Sequence, residues 1–485
     1  MAMDLERLSA ALEPRETIRR APVEVRGLAY DVRAVEAGSL FFCVPGMHAD
    51  GHDFAPEAVE RGAVALVVER PLELDVSQLL VASSRVAMAG AADIFFGEPT
   101  RELQLAGVTG TNGKTTTCFL VYEILAAAGR RPGLVGTVEG RVGGKPRKMA
   151  RTTPEAIDLQ RLFREMLDAG DRSCVIEASS HAIELHRLDR ARFAALAFTN
   201  LSHDHLDFHE TMENYFAAKR RLFLSGDETP SAINIDDAFG RRLAADLRAV
   251  GQERVLTFGR ARDADLRPDE IELGADGTRI RLGELELRSP LRGAFNAENL
   301  LTAAALTRLL GVEDAQIAAG VAALKGVPGR FEAVECDQPF AVVVDYAHTP
   351  DALARLLTAA RELVRGKLIC VFGCGGDRDR EKRPLMGEIA AALSDVAIVT
   401  SDNPRSEAPR SIIDEILAGV EEGTVEVEPD RRAAIEQALA QAREGDIVVI
   451  AGKGHEQGQE IGDRVLPFDD RVVAAELLVE LGAGR

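Results

Sequence analysis

The stretch 103-LQLAGVTGTNGKTTTCFLVYEILAAAG-129 decides how the rest of the chain is read. An apolar run of strand type ends at Gly107. A turn carrying Gly110, Thr111, Asn112 and Gly113 follows, and Lys114, Thr115 and Thr116 open an apolar helical run that reaches about Ala128. Strand, glycine-rich turn and helix in that order make a phosphate cradle. Glycines let backbone N–H groups approach phosphate oxygens, the helix N-terminus adds positive potential, a lysine neutralises the outer phosphates and a threonine hydroxyl reaches Mg²⁺. The strict P-loop places a glycine five residues before Gly113. That position is Val108, and the glycine stands at Gly107, so the stretch is a variant of the motif. The competing reading is a β–α turn that binds nothing.

Composition narrows the classes. At 485 residues the chain has room for about three domains of ~150 residues each. A hydrophobic content of 46% can fill several cores. The net charge of −20 and a pI near 5.0 argue against nucleic acid or an anionic membrane as the main partner. An acidic protein that binds anions must gather its cations locally, so Arg and Lys in glycine-rich loops become informative. The cysteines, Cys43, Cys118, Cys174, Cys336, Cys370 and Cys374, form no paired zinc spacing, and reduced thiols are expected. The first residues, MAMDLERLSAALEPRE, lack the apolar centre of a signal peptide. No apolar run approaches ~18 residues. A cytoplasmic protein that does not enter the membrane is expected.

The expected class is α/β in three domains. Residues 1–102 read as a small α/β unit, with strands across 24–31, 39–46 and 63–69 and a helix at 54–61. The turn-rich loop 44–54 holds His48 and His52 and reads equally as solvated or ligand-binding. Residues 103–334 form a central ATP-binding block. Its strands 173–179 and 193–201 end on Glu177, Ser179, Ser180 and His181, and on His203, Asp204, His205, Asp207 and His209. Polar residues collected at the carboxyl ends of buried strands mark the ligand edge of an open α/β sheet. An amphipathic helix is expected near 155–169, a β-hairpin insert across 271–288, and a helix after Asn296 and Asn299. Residues 335–485 alternate strand and helix, with strands at 340–347, 367–373, 396–402 and 446–452. That alternation predicts a doubly wound, Rossmann-like, mostly parallel sheet with binding residues in the loops after its strands. The segments near 102 and 334 are expected to be hinges.

Singly, these residues are ambiguous. Glu177 and His205 could help hold Mg²⁺, or be a cap and a satisfied turn residue. Lys219 in 216-FAAKRRLF-223 reads as a surface lysine. The 373–376 loop reads as an anion nest or a tight turn. The motifs taken together are specific: GTNGKTTT at 110–117, EASSHA at 177–182, TNLSHDHLDFH at 199–209, AAK at 217–219, NAEN at 296–299, PGRFE at 328–332, DYAHTPDAL at 345–353, FGCGGDRDREKRPLM at 372–386, DNPR at 402–405 and AGKGHE at 451–456. In order and wording, from about residue 27 onward, they resemble the Mur ligases, the ATP-dependent amide-bond formers of peptidoglycan precursor synthesis. DNPR resembles the members that add meso-diaminopimelate to UDP-N-acetylmuramoyl-L-alanyl-D-glutamate.

The resemblance implies a role for each matched residue. Gly110, Thr111, Asn112, Gly113, Lys114, Thr115, Thr116, Asn296, Asn299, Arg330, Asp345 and His348 would serve ATP. Thr115, Glu177 and His205 would hold Mg²⁺, supported by Lys219 as a carbamate (N6-carboxylysine) formed with CO₂; Lys114, Glu177, His205 and Lys219 are the implied catalytic set. Asp31, Arg33, Thr152, Thr153, Ser179 and Arg187 would contact the UDP-muramoyl-dipeptide. Arg378, Asp402, Asn403, Pro404, Arg405, Gly452 and Glu456 would receive diaminopimelate. The uridine-side motif of the family is Asp-Ser-Arg, and here it is Asp31-Val32-Arg33. The resemblance further implies cell-wall biogenesis tied to cell shape and division, and a monomer. Folylpolyglutamate synthetase is the alternative among enzymes, and a catalytically silent nucleotide-binding partner of cell-wall enzymes is the alternative outside them.

Overall fold

The computed structural model describes residues 2–19, 21–46, 49–225, 228–274, 276–336 and 338–483; His48 of the 44–54 loop lies outside them. The chain gathers into two compact units. One holds the chain up to Thr109, Gly129–Leu196 and Ala218–Pro230; the other holds Gly110–Ala128, Ala197–Ala217 and the chain from Ser231 on.

In the first unit the N-terminal sheet has strand order Glu16–Ile18, Ser77–Leu80, Ala63–Val68, Ser39–Phe42, Gly27–Ala29. All neighbours are parallel except the first pair. Side chains alternate across it. Leu40, Phe42, Ala65 and Val67 pack with helices Leu5–Leu12 and Ser84–Phe95, while Phe41, Cys43, Leu66 and Val68 pack over helix Ala55–Glu60. Because strand side chains alternate with period two, a sheet covered on both faces needs unbroken apolar strands. The expected strand 24–31 is divided. Glu24–Val25 pairs antiparallel with Met3–Asp4, Arg26 N–H turns to Gly38 O, and Gly27–Ala29 joins the main sheet. Strand 39–46 ends at Phe42, ahead of Pro45, which has no N–H for a ladder.

The same unit carries Ser173–Glu177 between Gln104–Thr109 and Pro132–Val135, all parallel. Glu177 therefore ends a central strand beside Val108. An unforeseen hairpin, Gly140–Val142 with Lys145–Arg147, extends the edge.

In the second unit helix Lys114–Ala127 follows the glycine-rich turn. Gly320 of helix Asp314–Ala323 lies against it so closely that a Cβ would strike the Ile124 backbone. Ser231–Asn234 and Val255–Phe258 pair in parallel, and residues 270–289 form a three-stranded meander rather than one hairpin. The C-terminal sheet has order Glu332–Ala333, Ala341–Asp345, Ile447–Ala451, Leu368–Phe372, Val396–Val399, Val425–Val427. Val343, Cys370, Phe372 and Val449 face helices Pro350–Leu363, Lys382–Leu393 and Pro409–Leu417; Val342, Ile369, Val371 and Val448 face Arg431–Gln441 and Asp470–Ala483. The doubly wound expectation holds here. The antiparallel edge strand Glu332–Ala333 begins this sheet upstream of 335, so a hinge at 334 would cut a ladder. Among the described residues no helix is long and apolar enough to cross a membrane.

Candidate active site

The phosphate loop is built by backbone shape. Gly110 and Gly113 have φ of 146° and 86°, values that disfavour any side chain. A Cβ on Gly110 would overlap Thr199 Oγ1, and one on Gly113 would overlap Asn299 Oδ1. Gly113 caps helix Lys114–Ala127 without a side-chain hydrogen bond, and a helix N-terminus of this kind carries positive potential suited to an anion. A scaffold that the motif does not mention holds the turn. Thr111 N–H donates to Asn200 O (2.8 Å), Asn112 N–H to Asn200 Oδ1 (2.9 Å), and Thr199 Oγ1 to Asn112 O (2.7 Å). Asn112 Nδ2 donates to Asp351 Oδ2 (2.7 Å), which also accepts from Ser202 Oγ (3.1 Å). Lys114 Nζ folds onto Gly110 O (3.0 Å) and Thr111 O (2.7 Å).

Several expected nucleotide-side residues gather at this loop. Arg330 Nη2 donates to Thr115 Oγ1 (3.0 Å), and its guanidinium lies 4.5 Å from the centre of the Tyr346 ring. Asp345 accepts from the N–H groups of Phe331 and Ala347, both at 2.7 Å. Burial raises its carboxyl above the ordinary range, against the pull of Arg330. Asn299 Nδ2 donates to Asn296 Oδ1 (3.0 Å) on helix Ala294–Leu309. Burial, then Lys382, holds the His348 imidazole below its usual pKa, and Lys382 Nζ donates to His348 O (2.9 Å). His205, with φ of 55°, lies 3.3 Å from Asp204. Burial pushes the Asp204 carboxyl up, but His205, His348, Lys382 and Lys114 together hold it low.

The first unit holds Glu177 and Lys219. Glu177 is buried, and Thr137 grips it: N–H to Oε1 at 2.7 Å and Oγ1 to Oε2 at 3.0 Å. Gly136 gives this carboxylate room, since a Cβ there would stand 2.5 Å from Oε1. Lys219 is not a surface lysine. It is 1% exposed, with Nζ 3.5 Å from Thr109 Oγ1. Around Glu177 the residues expected on the substrate side form one network. Thr152 Oγ1 meets Thr137 Oγ1 (3.0 Å), and Thr153 Oγ1 bonds Glu177 O (2.7 Å) and Ser179 Oγ (3.1 Å). Arg187 donates through Nη1 to Thr153 O (3.1 Å) and pairs through Nη2 with Glu155 (2.9 Å), while its buried Nε has no hydrogen-bond partner. Asp31 and Arg33 pair with each other across a 3₁₀ turn, and Val32 is half-buried in the apolar face beneath it. The residue that departs from the family motif is thus used for packing.

The third cluster lies at the C-terminal sheet edge. Lys453, fully buried, places Nζ 2.9 Å from both Asn403 Oδ1 and Glu456 Oε2. Asn403 Nδ2 donates to Glu456 Oε2 (2.9 Å). Arg405, with φ of 51°, bonds Glu460 through Nε (2.6 Å) and Gly376 O through Nη1 (2.7 Å). Asp402 Oδ2 is buried without a hydrogen-bond partner, 2.5 Å from where a Cβ on Gly452 would stand. Gly376 approaches Pro404 O too closely for any side chain. Arg378 is exposed and bonds Asp377 O, and its Cγ lies against Gly375, which Arg405 Nη1 also approaches.

Sequence comparison gives these clusters a lineage. The chain matches three family models in order: "Mur ligase family, catalytic domain" over residues 24–96, "Mur ligase middle domain" over 108–307 and "Mur ligase, glutamate ligase domain" over 329–454. It is 48% identical over 473 residues to a UDP-N-acetylmuramoyl-L-alanyl-D-glutamate–2,6-diaminopimelate ligase of Solibacter usitatus, covering 95% of both chains. The chain belongs to the Mur ligase family. A second Mur ligase, the protein of the same name from Syntrophomonas wolfei, is 45% identical over 94% of this chain and 95% of its own. A solved structure of a UDP-N-acetylmuramoyl-L-alanyl-D-glutamate–2,6-diaminopimelate ligase superposes with a TM-score of 0.70 at 33% identity, covering 99% of this chain and all of that one. The Mur ligase motifs quoted from the sequence contain most of the observed site. Thr137, Lys453 and Glu460 carry no expected role, although Lys453 lies inside AGKGHE.

Among the described residues no group of three or more His, Cys, Asp or Glu gathers in a metal-holding arrangement. The expected metal set asks for two such residues, Glu177 and His205, with Thr115 and a modified Lys219. The Glu177 carboxylate and the Thr115 hydroxyl are oxygen donors of the kind Mg²⁺ prefers, while the His205 imidazole is a nitrogen donor.

Proposed function

We propose that this Mur ligase joins meso-diaminopimelate to the D-glutamyl γ-carboxylate of UDP-N-acetylmuramoyl-L-alanyl-D-glutamate at the expense of ATP, in peptidoglycan precursor synthesis in the cytoplasm. The observation that carries the reading is the Asn403–Arg405–Glu456 cluster, a receptor of opposite charges behind an ATP-type phosphate loop on the same chain.

The substrate carboxylate attacks the γ-phosphorus of ATP, giving an acyl phosphate and ADP. An amine of diaminopimelate attacks the acyl carbon, and the tetrahedral intermediate collapses to amide and phosphate. The chain's part is positioning and charge neutralisation. The N-terminus of helix Lys114–Ala127 turns its positive end to phosphate oxygens, and Lys114 turns from Gly110 O and Thr111 O to meet the outer phosphates. In the second unit Thr115, whose hydroxyl Arg330 now holds, and His205 would be donors to Mg²⁺, and in the first unit Glu177 would offer a carboxylate. Mg²⁺ would supply charge neutralisation of the phosphoryl oxygens. Lys219 as a carbamate would replace a buried cation by an anion. Arg187, Thr152, Thr153 and Ser179 hold the dipeptide, and Arg187 Nε offers a buried donor to its carboxylate. Arg405 receives the far carboxylate of diaminopimelate end-on through its Nη groups.

The test is ADP release coupled to product analysis. Sustained, multiple-turnover ADP release should require both muramoyl-dipeptide and diaminopimelate. ADP release that ignores the muramoyl-dipeptide would overturn the reading.

A further inference from the structure

Arg405 is held from three sides by one short hairpin, Gly458–Ile461 with Arg464–Pro467, that lies outside every quoted motif. Arg405 N–H donates to Glu460 O (3.0 Å), and Gly462 N–H donates to Arg405 O (2.8 Å). Glu460 Oε2 accepts from Arg405 Nε at 2.6 Å. Glu460 N–H also donates to Asn403 Oδ1 (3.0 Å), so the same residue orients the neighbouring amide. Arg405 sits at φ 51°, a conformation that costs a non-glycine residue energy and persists where the surroundings over-determine it. Here the hairpin backbone does so.

The consequence for the guanidinium is geometric. Nε is taken by Glu460 and one Nη1 hydrogen by Gly376 O. Nη2 and the second Nη1 hydrogen have no partner among the described residues and are left for a carboxylate, while the side-on edge is closed because Nε is taken. Asn403 is fixed in the same way. Its Oδ1 accepts from Lys453 Nζ and Glu460 N–H, which fixes the amide so that Nδ2 donates to Glu456.

We propose that Glu460 is a positioning residue that sets amino-acid specificity: it aims Arg405 end-on at the distal carboxylate of the incoming diamino acid. This rests on the proposed ligase activity. Glu460 does not touch the reacting atoms. Without it the fork is free to rotate about its long side chain, and recognition of the extra carboxylate weakens while the chemistry is preserved. The pair is part-exposed, with side-chain exposures of 22% for Arg405 and 45% for Glu460, so the effect is moderate rather than absolute.

The experiment compares unmutated enzyme, Glu460→Ala and Glu460→Gln with meso-diaminopimelate and with L-lysine, at saturating ATP and muramoyl-dipeptide. Glu460→Ala is expected to raise KM for diaminopimelate about five- to tenfold with kcat little changed, and to narrow its preference over lysine by the same factor. Glu460→Gln keeps an acceptor for Nε and is expected to recover most of the loss. An unchanged diaminopimelate KM in Glu460→Ala overturns the proposal, as does an equal loss for both amino acids that Gln fails to rescue, the pattern of mere loosening. If the unmutated protein ligates neither amino acid, the ligase reading itself falls.

Discussion

Arg405 is a partnered cation before any substrate arrives. A guanidinium buried alone would reject lysine severely, but Glu460 keeps Arg405 neutralised when the distal carboxylate is missing. What lysine forfeits is one charge-assisted contact, worth about 1.5–3 kcal/mol, so the expected preference for diaminopimelate is about 10- to 10²-fold in kcat/KM. Arg405→Ala should bring the two substrates to near parity, read in competition assays. Two other residues separate folding from chemistry. Lys114→Ala is expected to lower kcat about 10²- to 10³-fold with an unchanged melting temperature, since it removes a phosphate-facing cation. Lys219→Ala should be nearly inactive, and acetate should partly restore turnover by returning an anion to the space left by this buried side chain. Full activity of either variant would remove that residue's role.

At the scale of elements, the phosphate loop was legible because its chemistry is written in consecutive residues. Strand, Gly110, Gly113 and Lys114 appear in the sequence as they stand in the fold. Its scaffold was not legible in that way. Asn200, Ser202 and Asp351 reach the loop from distant segments, and no spacing rule links them to Asn112. Lys219 was misread for a related reason: burial depends on what packs around helix Met212–Leu224, and a lysine on an amphipathic run gives no sign of it. The hairpin Gly458–Pro467 escaped notice because its strands are short and its outer strand is polar or exposed throughout. The division of strand 24–31 likewise turns on Arg26 meeting Gly38, a tertiary contact. Gly113→Ala tests the loop itself. The new Cβ meets Asn299 Oδ1 at a backbone angle that already costs about 1–2 kcal/mol, so KM for ATP should rise about tenfold or more. An unaltered KM would place the nucleotide elsewhere.

For the whole molecule, apolar strands alternating with helices made the α/β class readable, and a few buried charges lock the C-terminal part. Arg383 is enclosed and bonds Glu407, Glu415 and Gly375 O, tying the 373–384 loop to helix Pro409–Leu417. Arg383 beside it lowers the Glu407 carboxyl from 4.5 to about 2. A depressed carboxylate pKa adds stability that is fully present above the unfolded value and is lost as pH falls through the folded one. Stability should therefore decline from about pH 4.5 to about pH 2, and Glu407→Gln should flatten that limb in urea unfolding. Arg431 and Asp470, both fully buried and 2.7 Å apart, join helix Arg431–Gln441 to the last helix. Arg431→Met would strand a buried carboxylate and should cost about 3–5 kcal/mol of unfolding free energy.

The most direct measurement is ligation by the purified protein with ATP, Mg²⁺ and UDP-N-acetylmuramoyl-L-alanyl-D-glutamate, offered meso-diaminopimelate and L-lysine in equal amounts, with products resolved by mass. The diaminopimelate tripeptide product is expected at least about tenfold over the lysine product, with one ADP released per amide formed. Equal amounts of the two products would contradict the receptor assigned to Arg405, and no amide with either amino acid would contradict the ligase itself.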